Sequence, residues 1–186
     1  MQKKIYEFSS KKVSYFFDAD FSHLAKLADK QHALIITDEN VVRHHAEKFS
    51  GWNKIVIRPG EEFKVQATVD TIMASLVQTK ADRQTMLIGV GGGVVTDISG
   101  YVAATYMRGI RFGFVPSSLL AMVDAAIGGK NGIDVGIYKN LVGTIRQPEF
   151  LLFDSSLLKS LPRNEWVNGF AEIIKHASIK DEKLFR

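Results

Sequence analysis

The junction between residues 85–90 and the glycines that follow constrains the fold more than any other part of the sequence. Residues 85–90 form a short apolar run typical of a buried strand, and Gly91-Gly92-Gly93 follow it directly. A helix-period pattern then continues to about Met107. Glycine at such a junction lets a ligand approach the backbone, and the unpaired N–H groups of a helix N-terminus attract phosphate. The segment predicts a strand, a turn and a helix able to bind a pyrophosphate, unless the glycines form only a tight turn.

Short apolar runs alternate with helix-period segments along the chain. Strands are predicted at residues 13–17, 33–38, 54–58, 85–90, 111–115 and 150–153, and helices at residues 21–30, 40–49, 65–80, from the glycines to 107, and at 163–180. Because the strands are apolar throughout, the pattern predicts an α/β fold, a Rossmann-like parallel sheet flanked by helices on both faces. A domain boundary is expected near Leu161-Pro162. Residues 1–160 would be a complete α/β domain, and residues 161–186 the first helix of a truncated all-helical domain.

Composition excludes several classes of function. The 186 residues include no cysteine, so disulfides and thiolate metal sites are excluded, and any metal must have oxygen and nitrogen ligands. The net charge is +4, yet no dense run of Lys and Arg with interleaved aromatic residues argues for nucleic-acid binding. No signal-peptide core and no apolar run long enough to span a bilayer is present. A cytoplasmic protein with a small anionic ligand is expected.

Polar residues follow two of the predicted strands. Asp38 and Asn40 stand at the carboxyl end of one strand, where open α/β sheets bind their ligands, although capping of the next helix is the favoured explanation when they are taken alone. The loop Gly60-Glu61-Glu62-Phe63-Lys64 precedes another helix and is by itself typical of a solvated helix N-terminus.

Three cations and an acid stand among apolar and glycine-rich residues later in the chain. Arg108, Lys130 and Lys139 suggest a site for phosphate or carboxylate, and Asn140 adds an amide beside Lys139. Asp124 and Lys130 flank an apolar segment, and a pair of this kind is as often functional as structural.

The last predicted helix carries a third polar group. Glu172 and Lys175 are three residues apart, and Glu172 and His176 are four apart, so each pair lies on one helix face. Glu172 and His176 have the spacing of two metal ligands, but a surface salt-bridge helix has the same spacing.

Taken in order, these segments resemble the 3-dehydroquinate synthase family from about Ala33 to His176. The motifs that carry the resemblance are Gly91-Gly92-Gly93-Val94-Val95-Thr96-Asp97, Arg108-Gly109, Pro116-Ser117-Ser118-Leu119-Leu120-Ala121, Val123-Asp124, Gly128-Gly129-Lys130, Lys139-Asn140-Leu141 and Glu172-Ile173-Ile174-Lys175. The resemblance implies an NAD-binding α/β domain followed by an all-helical domain, with the active site between them. It also implies conversion of 3-deoxy-D-arabino-heptulosonate 7-phosphate to 3-dehydroquinate and phosphate in the shikimate pathway of aromatic amino-acid biosynthesis, with catalytic NAD and a divalent metal, Zn or Co.

The resemblance also assigns residues, position by position. NAD contacts are expected at Asp38, Asn40, Glu61, Lys64, Gly92, Gly93, Asp97, Ser117, Ser118, Leu120 and Ser160. Catalytic or substrate-site roles are expected at Arg108, Asp124, Lys130, Lys139, Asn140 and Lys175. Glu172 matches the first metal ligand, whereas His176 falls on a position that the family does not use, so a surface or packing role is expected for it. The family's two histidine ligands would follow Arg186, so the fragment alone should be inactive, with an incomplete metal site. The parent is expected to be a homodimer that acts on an anionic sugar phosphate and binds neither nucleic acid nor membrane.

The sequence departs from the family pattern at several polar positions. Ser117-Ser118 and Ser160 replace threonines, which keeps the hydroxyl groups, whereas Met122, Ala125-Ala126 and Asn131 change the polar character of their positions. Related cyclases that make inosose or valiolone products share the framework, although Lys130 and Lys139-Asn140 favour dehydroquinate synthase. Two further classes fit a chain of this pattern: NAD-dependent polyol dehydrogenases of the glycerol type, and a non-catalytic nucleotide-binding module.

Overall fold

The computed structural model describes residues 1–8 and 11–185. Its main feature is a seven-stranded sheet. Its strands are β1 (Gln2–Phe8), β2 (Lys11–Phe17), β3 (Ala33–Asp38), β4 (Asn53–Ile57), β5 (Met86–Gly91), β6 (Arg111–Pro116) and β9 (Phe150–Leu152). The order across the sheet is β1-β2-β9-β6-β5-β3-β4, and every neighbouring pair is parallel except β1 with β2. Strands β7 (Lys130–Val135) and β8 (Tyr138–Ile145) form a separate antiparallel hairpin.

Helices and short helical turns connect the strands. The helices are α1 (Glu39–His45), α2 (Gln66–Gln78), α3 (Gly93–Thr105), α4 (Arg163–Lys180) and the short α5 (Glu182–Phe185). The 3₁₀ turns are Phe21–Lys26, Ala46–Phe49, Glu61–Phe63, Tyr106–Arg108 and Ser155–Ser160, and Ala121–Ala125 is a π-helical turn. In the part of the chain that the structure describes, no helix is both long and apolar enough to cross a membrane.

Helices and turns cover the sheet on both faces, as the uniformly apolar strands predict. Alternate residues of β3 point to opposite faces, so Leu34 and Ile36 pack with α2 and α3, while Ile35 packs on the other side. The second face is covered by α1 and by the turns Phe21–Lys26 and Ser155–Ser160. The prediction of an α/β fold with a mostly parallel sheet is confirmed.

Several predicted elements differ from the observed ones. β1 and the β7–β8 hairpin were not predicted. The helix expected at residues 21–30 is the shorter turn Phe21–Lys26, and the helix expected at 40–49 divides into α1 and the turn Ala46–Phe49. The helix predicted at 163–180 has the observed bounds of α4, with Pro162 at its N-cap.

Helix α3 packs closely against β7 at Gly100. A Cβ atom at Gly100 would lie 1.8 Å from Oδ1 of Asn131, which is far inside a van der Waals contact. Asn131 cannot turn away freely, because its Nδ2 donates hydrogen bonds to the carbonyl oxygens of Gly129 at 2.8 Å and Arg146 at 3.0 Å. Gly100 thus sets how near the hairpin lies to α3.

We expect Gly100→Ala to destabilise the fold by about 1–3 kcal/mol, because overpacking must displace the hairpin or Asn131. The cost should exceed the gain in helix propensity that alanine normally brings. Urea unfolding of the variant measures this change. The double variant with Asn131→Ala should recover most of the loss relative to Asn131→Ala alone, and an additive result would contradict the proposed steric cause.

Candidate functional site

A cleft of about 1210 Å³ opens at the carboxyl edge of the sheet, beside the ends of β3, β5 and β6. Open α/β sheets bind their ligands at this edge because the loops there diverge around helix N-termini. All eleven residues assigned to NAD by the family resemblance line it: Asp38, Asn40, Glu61, Lys64, Gly92, Gly93, Asp97, Ser117, Ser118, Leu120 and Ser160.

The glycine turn forms the centre of the cleft. β5 ends at Gly91, Gly92 is the N-cap residue with φ −75° and ψ −171°, and α3 begins at Gly93. The N–H groups of the first helical turn lack intrahelical partners, so they are available to an anion. The cleft side of Gly92 is open, since a Cβ atom there would be no closer than 3.5 Å to Oγ of Ser118. This turn has the geometry of a phosphate-binding site.

Asp38 places a carboxylate at the end of the neighbouring strand β3. The residue is 8% exposed, and its Oδ1 accepts a hydrogen bond from the backbone N–H of Val41 at 2.9 Å. Burial raises the pKa of Asp38 above its ordinary value, although the N–H groups of Val41 and Asn40 act in the opposite direction. Asp38 therefore caps α1 and also lines the cleft, so capping and ligand binding do not exclude each other here.

Lys64 connects two parts of the cleft. The residue is only 4% exposed, and its Nζ lies 2.5 Å from Oδ2 of Asp97 on α3 and 2.5 Å from Oδ1 of Asn140 on β8. Burial raises the pKa of Asp97, and the ammonium group of Lys64 opposes that rise. The lysine thus ties residues expected to contact NAD to a residue expected to contact substrate.

The hairpin is held in the cleft by further contacts around Asn140. The backbone of Asn140 has φ +54°, a conformation that is uncommon for a residue other than glycine. Its N–H donates to Oδ1 of Asp134 at 2.7 Å, and the N–H of Asp134 donates to the carbonyl oxygen of Lys64 at 2.8 Å. The neighbouring Lys139 lies 3.8 Å from Oε1 of Glu61. These contacts fix the backbone position from which Asn140 and Lys139 face the cleft.

The six residues assigned to catalysis or substrate divide into two groups. Asp124, Lys130, Lys139 and Asn140 line the cleft. Arg108 does not line the cleft. It is exposed and lies just before β6, at the amino edge of the sheet, because α3 returns the chain to that edge. Lys175 lies on α4 in an ion pair with Glu172 and is likewise outside the described cleft lining. The single chain therefore does not bring Arg108 to the substrate residues, and its assignment to the substrate site stays a prediction.

A cluster of possible metal ligands forms where α4 contacts the turn Ala121–Ala125. Nε2 of His176 lies 3.3 Å from Oδ1 of Asp124 and 3.9 Å from Oε2 of Glu172. One ligand atom from each of these residues lies within 4.8 Å of the other two. His176 is exposed, which is consistent with the surface role expected for it, and its imidazole also lies beside Asp124 and Glu172.

The donor set fits a divalent metal in part. Two carboxylates and one imidazole are ligands that Zn²⁺ accepts, and three protein ligands are usual for a catalytic zinc. Lys175, however, pairs with Glu172, and its pKa is raised by the hydrogen bond to that carboxylate. A metal bound here would have to displace the ammonium group from Glu172.

One buried polar residue of the cleft was missed by sequence reasoning. His45, at the end of α1, lines the cleft, is 7% exposed and lies close to Ser160. Within the sequence it is one of two adjacent histidines that both line the cleft, and helix periodicity alone does not show that His45 is the buried one.

The glycine turn, the carboxylate at the end of the next strand and the cleft between them define the chain as an α/β nucleotide-binding domain. A family model described as 3-dehydroquinate synthase N-terminal matches residues 54–168, more than half of the chain. The chain belongs to the 3-dehydroquinate synthase family.

Relatives and a solved structure agree with this membership. The chain is 43% identical over 176 residues to the 3-dehydroquinate synthase of Ruminiclostridium cellulolyticum, covering 88% of this chain and 49% of the relative. It is 51% identical over 132 residues to that of Pyrococcus abyssi, covering 71% and 39%. The structure of 2-epi-5-epi-valiolone synthase from Streptomyces hygroscopicus, with NAD⁺ and Zn²⁺ bound, superposes with a TM-score of 0.85 at 29% identity, covering 97% of this chain and 53% of that one. The chain spans about half the length of the relatives it matches.

Proposed function

We propose that the cleft binds NAD and that the chain forms the nucleotide-binding part of a 3-dehydroquinate synthase. The observation that carries the proposal is the open turn at Gly92, which faces the same cleft as Asp38. In this arrangement the free N–H groups at the start of α3 bind the pyrophosphate, and the Asp38 carboxylate accepts hydrogen bonds from ribose hydroxyls. Titration calorimetry with NAD tests this proposal on the 186-residue chain, and no detectable heat of binding would refute it.

The substrate half of the proposed site lies beside Ser117 and the hairpin. Lys130 and Lys139 supply positive charge for an anionic sugar phosphate, Asn140 supplies an amide, and Asp124 orients a hydroxyl group. When bound, NAD would supply transient oxidation of a substrate hydroxyl, and a divalent metal, Zn or Co, would supply a Lewis acid at that oxygen. Within the described part of the chain, Glu172 is the proposed ligand of such a metal, and Asp124 and His176 lie beside it.

The proposed reaction is conversion of 3-deoxy-D-arabino-heptulosonate 7-phosphate to 3-dehydroquinate and phosphate. Family membership and the cationic residues of the cleft support it. The enzyme as a whole would then be a cytoplasmic homodimer of the shikimate pathway that binds no nucleic acid.

We also propose that residues 1–160 form the nucleotide-binding domain, and that residues 161–186 begin a helical domain. Residues 1–186 alone would bind nucleotide without completing turnover.

The products that accumulate distinguish a dehydrogenase from a cyclase. Because a cyclase reduces its intermediate again, it releases phosphate without net accumulation of NADH, whereas a polyol dehydrogenase accumulates NADH in proportion to turnover. Parallel assays of phosphate and of NADH absorbance on the full-length enzyme distinguish the two reactions. Separate assays with other sugar phosphates test for the inosose-forming and valiolone-forming reactions.

In the full-length enzyme, we expect Lys130→Ala to lower kcat/KM by about 10- to 100-fold while changing NAD affinity by less than about twofold. The lysine would contact a charged substrate group through charge-assisted hydrogen bonds, and these contribute about 1.5–3 kcal/mol each. Steady-state kinetics and NAD calorimetry measure the two effects. Lys12→Ala, at an exposed position on β2, is the matched control. Equal losses of turnover and NAD affinity would show that Lys130 contacts the nucleotide instead.

A further inference from the structure

His45 and Ser160 join two separate parts of the cleft wall. His45 ends α1, and Ser160 ends the turn Ser155–Ser160, far along the chain. Nε2 of His45 lies 2.8 Å from Oγ of Ser160, which is a short hydrogen bond for this pair of atoms. Both residues line the cleft, and His45 is almost completely buried. The contact therefore lies where it can act on a bound ligand.

The hydroxyl group of Ser160 is weakly held by its other partner. Its Oγ lies 3.4 Å from the carbonyl oxygen of Leu157, a long contact near the limit for a hydrogen bond. A serine hydroxyl can donate one hydrogen bond and accept two, and serine lacks the second Cβ substituent that restricts the side-chain torsion of threonine. The imidazole is thus the partner that fixes where this hydroxyl points.

We infer that His45 is a positioning residue for the nucleotide. With its Nε2 protonated, the imidazole donates to Oγ of Ser160, so the serine proton is free to point into the cleft. Ser160 then presents a hydrogen-bond donor to a polar group of the nucleotide. With the other tautomer, the hydroxyl group of Ser160 would donate its hydrogen bond to Nε2 of His45 and would present only an acceptor to the nucleotide. The tautomer of His45 therefore determines what Ser160 offers to the ligand.

This inference rests on the proposed binding of NAD, and three variants separate the two claims. His45→Leu replaces the imidazole with an apolar side chain of similar size and removes the hydrogen bond, whereas His45→Gln supplies an N–H donor from its amide. The third variant, His45→Leu with Ser160→Thr, replaces the lost contact with the torsional restriction of threonine. NAD calorimetry and thermal unfolding are run on each, with His32→Gln as the control, because His32 is exposed and pairs with Asp29 outside the cleft lining.

We expect His45→Leu to weaken NAD binding by about tenfold, the effect of one lost hydrogen bond. His45→Gln should stay within about threefold of the unmodified chain, and the Ser160→Thr exchange should restore most of the affinity lost in His45→Leu. Long-range ¹H–¹⁵N spectra should show a protonated Nε2 on His45. If the unmodified chain binds no NAD, the proposed function fails, and the role of His45 fails with it. If the unmodified chain binds NAD but His45→Leu binds it equally well, or threonine restores nothing, only the role of His45 is overturned.

Discussion

Replacing Gly92 with valine should lower NAD affinity by about 100-fold or more while leaving the fold intact. Two charge-assisted hydrogen bonds from backbone N–H groups to the pyrophosphate would be lost, and each contributes about 1.5–3 kcal/mol. The loss arises because a branched side chain at the N-cap of α3 would occupy the space through which a phosphate reaches the backbone.

Gly92 is well suited to this test because its backbone does not require glycine. Its φ of −75° and ψ of −171° are accessible to any residue, and a Cβ atom would make only ordinary contact with Ser118. Gly91 is the contrasting position, since a Cβ atom there would lie 2.5 Å from the side chain of Val95. Gly91→Val should therefore unfold the turn, whereas Gly92→Val should not.

Calorimetry with NAD measures the affinity of Gly92→Val, and its thermal unfolding midpoint reports on the fold. Gly92→Ala should give an intermediate loss of affinity, because one methyl group obstructs the approach less than an isopropyl group. Unchanged affinity in a folded Gly92→Val variant would remove the glycine turn from the nucleotide site.

Replacing Asp154 with alanine should destabilise the protein by about 3–5 kcal/mol, the usual cost of breaking a buried ion pair. Asp154 is 3% exposed, and its Oδ2 accepts hydrogen bonds from Nζ of Lys48 at 2.9 Å and from the N–H of Phe21 at 3.0 Å. Its Oδ1 accepts from the N–H of Ser156 at 2.9 Å. The substitution would leave the largely buried Lys48 with only its longer contact to Asp20, at 3.9 Å, and would uncap the turn Ser155–Ser160.

The effect should depend on pH in a defined direction. Burial raises the pKa of Asp154, but hydrogen bonds from Ser156 and Lys48 outweigh burial and hold the pKa below its ordinary value. A carboxylate with a lowered pKa stabilises the fold above its unfolded pKa of about 3.9 and loses that contribution as the pH falls through its folded pKa. The stability difference between the unmodified protein and Asp154→Ala should therefore be constant near neutral pH and decrease below about pH 4.

Urea unfolding between neutral and acidic pH measures this difference. Asp70→Ala, at an exposed position on α2, should change stability by less than about 0.5 kcal/mol and is the matched control. An Asp154→Ala variant as stable as Asp70→Ala would show that the buried pair contributes nothing beyond its desolvation cost.

The sequence predicted the strands with continuous apolar runs, and it missed β1 and the β7–β8 hairpin. All six residues of β3 and of β5 are buried, so their apolar runs are unambiguous. β1 contains Lys3, Lys4 and Glu7, and six of its seven residues are exposed, because it is an edge strand that needs no apolar face. β8 is likewise exposed along most of its length. The polar edge strand β1 therefore leaves no continuous apolar run from which it could be predicted.

Site residues could be predicted from the sequence where they directly follow a strand or belong to a motif. Asp38 and the glycine turn follow strands directly, so their position at one sheet edge follows from the parallel arrangement alone. The same topology places Arg108 at the opposite edge, since a helix that follows a strand returns the chain to the amino side. His45, by contrast, contacts Ser160, and Lys64 contacts Asp97 and Asn140, all of them residues far away along the chain. Such contacts depend on tertiary packing that local patterns do not encode.

The pairing of β2 with β9 has a consequence for the order in which the protein folds on the ribosome. Ser14 pairs with Phe150 and Phe16 with Leu152, so β2 cannot complete its pairing until β9 has been synthesised. At typical rates of synthesis that delay is on the order of ten seconds. During that interval β3, β4, β5 and β6 can assemble among themselves, because each lies beside a strand that is already synthesised or soon follows. Val13 and Tyr15 of β2, both buried in the finished fold, meanwhile have only β1 beside them, so part of their apolar surface stays exposed until β9 is made.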